Sequence, residues 1–153
     1  MRAESGTGRI ASYQLECDLV DEFKAILLKS QDPFHVLHLA PEFNYGSGRT
    51  DVVAGTIKGN LIAFEAKLSR WRLALTQAYR NSAFAHYSYV LIPSDVVKNP
   101  IKNRYEFQRR GVGLCSLGPS GIRIEIAAAR RDPIQPWLTE TAFKHVATSG
   151  YAR

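Results

Sequence analysis

The amino-acid sequence predicts one α/β domain, residues 1–153, with a central mixed sheet flanked by helices. Three observations predict it. Apolar residues recur at helical spacing through residues 10–29, with Leu15, Leu19, Phe23, Ile26 and Leu27 on one side. Two apolar runs, residues 51–57 and 61–67, flank Lys58-Gly59-Asn60, which is the pattern of a hairpin with a short glycine-containing loop. A second helical stretch then leads into an apolar, aromatic strand ended by Pro93. Elements of both periods in one short chain bury their apolar faces by layering helices on a sheet.

Taken in order, residues 10–29 form the first helix and 35–39 a short strand. Residues 40–48 carry Pro41, Gly46 and Gly48 and read as a loop. The hairpin strands are 50–57 and 61–66. Ser69 is placed to N-cap a helix running to residue 85. On that helix Trp71, Leu75 and Ala78 recur at i, i+4 and i+7 and should face the core. Residues 86–92 are a strand and 101–110 a polar helix or loop. Residues 113–117 and 122–126 form a second hairpin around Gly118-Pro119-Ser120-Gly121, and 133–146 a C-terminal helix. The core, residues 10–127, thus runs helix, three strands, helix, strand.

Composition narrows the function. The 45% hydrophobic and 22% charged content is that of a soluble globular protein. No apolar run approaches the ~20 residues of a membrane helix, and the N-terminus lacks a signal-peptide core, so a cytoplasmic protein without a membrane partner is expected. Cys17 and Cys115 lack C-x-x-C spacing and read as reduced, buried thiols. Residues 1–8 and 149–153 read as frayed tails. A net charge of +6 and a pI near 9.5 suit a polyanionic partner.

The chemistry-bearing residues lie on the first hairpin. Asp51 heads one strand, and Glu65 and Lys67 close the other. Side chains alternate along a strand, so Glu65 and Lys67 share a face, and the hairpin returns Glu65 to Asp51. Two carboxylates and an ammonium would meet at the edge of an apolar sheet. Burying charges unpaired costs several kcal/mol. A divalent cation is the natural partner of the carboxylates.

Asp51 followed by Glu65-Ala66-Lys67 resembles the PD-(D/E)XK nuclease superfamily, which includes restriction endonucleases, Holliday-junction resolvases and RecB-type nuclease domains. Thr50 stands where the family name has proline. The resemblance implies a restriction-endonuclease-like αβββαβ core carrying a C-terminal hairpin and helix. It implies a metal-dependent nuclease acting on nucleic acid, with DNA the expected substrate. Asp51, Glu65 and the Ala66 carbonyl would hold Mg²⁺ or Mn²⁺, hard cations that take oxygen ligands. Lys67 would orient the attacking water and offset developing charge. The alternative is a catalytically inactive nucleic-acid-binding or assembly module of the same fold. A third reading is an unrelated small α/β protein whose hairpin charges are surface ion pairs. Any specificity would come from substrate structure, a homodimer partner or a larger assembly.

Two further groups extend the candidate site. On a wheel of about 100° per residue, Glu16 falls among Leu19, Phe23 and Leu27 on the apolar face, where a glutamate needs a reason. Many superfamily members aim a glutamate of this helix at the metal, and Glu16 matches that position. Otherwise it would pair with Arg49 or Arg80, leaving Glu22 as the substitute. Arg70, Gln77 and Asn81 form a polar stripe on the next helix. Gln77 resembles a family glutamine that orients the site or contacts the substrate backbone. With Arg72 and Arg80, this stripe is the expected nucleic-acid contact. Glu42 reads as a loop surface residue. The four histidines lack paired ligand spacing, and Gly111-Val112-Gly113 is no dinucleotide fingerprint.

Overall fold

The computed structural model describes residues 13–29, 32–149 and 151–152. Helix α1 (Glu16–Leu27) precedes strand β1 (Val36–Ala40). Short strands β2 (Phe43–Asn44) and β3 (Arg49–Thr50) form a separate ribbon, and β4 (Val52–Thr56) and β5 (Leu61–Ala66) form the hairpin. Helix α2 (Trp71–Arg80) and a 3₁₀ turn (Asn81–Ala83) lead to β6 (Tyr87–Pro93). A 3₁₀ turn (Ser94–Val96), α3 (Lys98–Lys102) and α4 (Arg104–Arg110) then cross to β7 (Gly113–Gly118). Strand β8 (Gly121–Ile126), α5 (Pro136–Ser149) and β9 (Tyr151–Ala152) complete the chain.

The main sheet has seven strands in the order β9-β1-β4-β5-β6-β7-β8. Its joins are antiparallel except β5 to β6 and β6 to β7, which are parallel. Parallel neighbours need a crossover, and α2 and the α3–α4 pair supply the two. The α/β class and mixed sheet are as the sequence predicts.

Helices on both faces explain why all six residues of β5 are buried. One face carries α1, whose Leu19, Phe23 and Leu27 pack on Val52, Phe64 and Leu91. On the other, Trp71, Leu75 and Ala78 of α2 cover Val90, Ile92 and Leu114, with Phe107 of α4 stacked on Trp71. Ala142 and Val146 of α5 cover Val53, Leu61 and Ala63. At the hairpin turn, Gly59 takes φ +83°, a conformation that suits glycine, and the Thr56 amide bonds to the Asn60 carbonyl.

Several boundaries differ from expectation for local reasons. Leu15 stands before α1 and is 59% exposed, so it is not part of the core stripe. Ser69 does not cap α2; Arg70 is the capping position, and the Trp71 amide bonds to the Ser69 carbonyl. Strand β4 starts at Val52, because Asp51 sits at a bend where its side chain takes the Ala66 amide. Residues 43–44 form a strand within the expected loop, and 101–110 are helical apart from Asn103. Cys17 is exposed, and Tyr151–Ala152 is an edge strand, not a frayed tail. The expected tail at residues 1–8 lies outside the described residues. Among the described residues no helix is long and apolar enough to cross a membrane.

Candidate active site

The hairpin register builds the site. Val52 pairs with Phe64 at the end of the ladder, and just past it Asp51, at its bend, lines the same cavity as Glu65. Asp51 Oδ2 accepts the Ala66 amide at 2.8 Å, which fixes the carboxylate beside the end of β5. Glu65 is only 3% exposed. Its Oε2 accepts a hydrogen bond from Asn81 Nδ2 at 2.8 Å.

Asn81 is the hub of a buried network. Its Nδ2 also donates to Thr50 Oγ1 at 3.1 Å, and its Oδ1 accepts from the Tyr45 hydroxyl at 2.8 Å. Thr50 Oγ1 donates in turn to the Phe64 carbonyl at 3.2 Å. The Tyr45 ring lies across Gly48, where a Cβ would come within 2.6 Å of the phenol oxygen. Glycine at 48 therefore lets the tyrosine reach in. Burial, followed by the charge of Glu65, pushes the Tyr45 phenol up to about 12.

Asp51, Glu65 and Lys67 open onto a polar cavity of about 250 Å³ that Glu16, Gln77 and Arg80 also line. Lys67 Nζ lies 3.7 Å from Glu16 Oε1. Burial is the main cause that pushes Glu65 up to about 8; the Asp51 charge adds to it, while the Asn81 bond opposes it. Asp51 is raised too, by burial and then by the Glu16 charge, against the Ala66 amide and Lys67. Both carboxyls thus sit where a full negative charge is disfavoured without a cation.

Some expectations need correction. Glu16 is not in the buried stripe: it is half-exposed on the first turn of α1 and turned to the cavity. Among the described residues it pairs with Lys67, with neither Arg49 nor Arg80, while Glu22 accepts from the Tyr13 hydroxyl at 2.7 Å. Asn81 is fully buried against Glu65 and cannot serve as a surface contact for nucleic acid, because the helix tightens into a 3₁₀ turn there. Arg72 does not line the cavity: it forks onto Glu106 at 2.9 and 3.1 Å and stacks over Trp71 at 4.3 Å. Arg70 caps α2 and is exposed outside the cavity, whereas Gln77 and Arg80 line it. Arg49 pairs with Glu42 at 3.1 Å.

Tyr45 and Thr50 went unforeseen as site residues. Thr50 carried a signal, since it directly precedes Asp51. Tyr45 carried only its place before the glycine-rich turn. Among the described residues no group of three His, Cys, Asp or Glu side chains is arranged to hold a metal ion. The donors on offer are the Asp51–Glu65 pair.

No protein-family model and no curated protein matches the chain. Among solved structures it is similar to SPO1766, a protein of unknown function from Silicibacter pomeroyi. The two share 18% identity and a TM-score of 0.55 over 72% of this chain and 71% of that one. At that identity the likeness concerns the fold alone.

Proposed function

We propose that the chain is a Mg²⁺- or Mn²⁺-dependent nuclease of the PD-(D/E)XK type that hydrolyses phosphodiester bonds of nucleic acid, DNA foremost. The observation that carries this reading is the gathering of Asp51, Glu65 and Lys67 at one polar cavity, at the open end of the hairpin. The restriction-endonuclease-like core belongs to the same proposal. Its support is the sequence α1, β1, β4, β5, α2, β6 with β6 parallel to β5. A cytoplasmic setting would keep the free thiols of Cys17 and Cys115 reduced.

The donor set suits a hard divalent cation. Asp51 and Glu65 offer carboxylate oxygens, both raised in pKa chiefly by burial, and the Ala66 carbonyl is the third donor that the resemblance implies. A cation held there would supply Lewis-acid polarisation of the phosphodiester. The remaining tasks fall to side chains. Asp51 is anchored by the Ala66 amide and Glu65 by Asn81, so neither must reorganise on binding. Lys67 orients the attacking water and offsets charge on the phosphorane, with Glu16 holding its ammonium at the cavity. Gln77 and Arg80 present donors to the phosphate oxygens.

The test incubates the protein with duplex DNA, single-stranded DNA and RNA, each with Mg²⁺, Mn²⁺ or EDTA. Metal-dependent cleavage that Asp51→Asn abolishes supports the reading. Binding without cleavage under every condition would leave the inactive nucleic-acid-binding module in its place.

A further inference from the structure

Two stretches of the chain carry a net charge of +4 each, residues 67–80 at the candidate site and residues 98–110 in the second crossover. Residues 98–110 hold five cations, Lys98, Lys102, Arg104, Arg109 and Arg110, against the single carboxylate of Glu106. Glu106 is already committed to the Arg72 fork. Among the described residues Lys98, Lys102, Arg104 and Arg109 form no ion pair, and all four are exposed.

The same segment is firmly seated. Phe107 is fully buried, with its ring centroid 5.5 Å from that of Trp71, and Pro100 is buried beneath the arm. The apolar side thus faces α2, and the cations and the 57%-exposed Tyr105 face outward. The crossover leaves the sheet on the side of the candidate site: the Lys67 amide donates to the Leu91 carbonyl, β6 ends two residues on at Pro93, and the Ser94–Val96 turn leads to the arm at Lys98. A fixed, unneutralised cationic face repels itself, so its natural complement is a polyanion.

We infer that the α3–α4 arm is the surface along which the phosphate backbone of a polynucleotide lies as it runs from the candidate active site. This deepens the nuclease reading and rests on it for the position of the scissile bond. It makes the substrate a polymer long enough to cover the arm rather than a mono- or dinucleotide. Phosphate contacts of this kind fix the register of the strand and carry no sequence preference.

The test measures anisotropy of a labelled DNA duplex of about 30 base pairs (roughly three helical turns) with the protein in EDTA, across a KCl series. The triple variant Lys102→Gln, Arg104→Gln, Arg109→Gln should flatten the slope of log K against log salt by about 2.7, at ~0.9 per lost phosphate contact. A control with the same charge loss elsewhere, Lys58→Gln, Arg123→Gln, Lys144→Gln, should keep the wild-type slope. All six positions are exposed, and matched thermal melts establish that both variants fold. Equal slopes for wild type and arm variant, equal losses in arm and control variants, or no salt-dependent binding by wild type would each overturn the inference. Cleavage is scored separately. Arm-dependent binding without metal-dependent cleavage would remove the nuclease reading and keep the arm, and cleavage with an unchanged slope would do the reverse.

Discussion

The two ends of the β4–β5 hairpin carry cavities of opposite character. At the open end the cavity is about 250 Å³ and gathers Glu16, Asp51, Glu65 and Lys67. At the turn end it is larger, about 400 Å³, and its walls are mainly Phe34, Ile57, Ile62, Tyr87, Tyr89 and Ile124. Size alone would favour the second. Energetics favours the first as the working site, because apolar walls gain from burial while carboxyls lose by it. Glu65 is 3% exposed and raised to about 8, and buried, shifted carboxyls of this kind cluster at functional sites. The ionisable lining of the turn end is His35, Lys58, Tyr87 and Tyr89, with no carboxyl among them.

The largest expected effect contrasts the two ends directly. Lys67→Ala should lower single-turnover cleavage by at least about a hundredfold, as loss of a preorganised charge in a site does. Mn²⁺ binding should persist, since the ammonium is no ligand. Ile57→Ser, at a 62%-exposed position of the turn-end cavity, should leave cleavage near wild type. Comparable losses in both variants would erase the distinction between the cavities.

Next comes pH. Glu65 has a folded-state pKa of about 8 against an ordinary 4.5, so the fold favours its neutral form. Its contribution to stability is full below about 4.5 and is lost as pH rises through about 8. In EDTA the melting temperature of wild type should therefore fall between pH 5 and 9, and Glu65→Gln should flatten that fall. Parallel profiles for the two proteins would mean that Glu65 does not titrate as its burial implies.

A smaller effect is expected at the network behind the pair. Asn81→Ala removes a donor to Glu65 and the acceptor of the Tyr45 hydroxyl, which should cost about 1–3 kcal/mol in urea unfolding. It should also move Glu65 further upward, because the Asn81 bond opposes the rise. A variant as stable as wild type would show the network to be incidental.

How much of this was legible in the sequence follows from range. The Asp51–Glu65 approach is a hairpin property, set by a short turn and strand alternation, and it could be read from local pattern. Trp71, Leu75 and Ala78 were likewise legible, because helical periodicity alone places them in the core. Asn81 was misplaced: periodicity put it on an exposed stripe, but the helix becomes 3₁₀ at that residue and folds its amide under Glu65. Glu16 was assigned to the right cavity for the wrong reason. It sits in the first turn, where the wheel says little about burial, and Lys67 holds it at the cavity. Tyr45 was out of reach, since its role depends on a ribbon packed across 36 residues of chain onto Asn81. The basic character of the α3–α4 arm was visible in composition, whereas the commitment of Glu106 to Arg72 needed the packed structure.

The central claim is that Asp51 and Glu65 form a cation site, and calorimetric titration with Mn²⁺ tests it most directly. Wild type should bind Mn²⁺ and gain melting temperature with it, by the RT ln(1 + [L]/Kd) that ligand binding adds to the folded state. Asp51→Asn, close to wild type in volume, should fold and yet bind about a hundredfold or more weakly. Equal affinities in the two proteins, or no binding by wild type, would contradict the account.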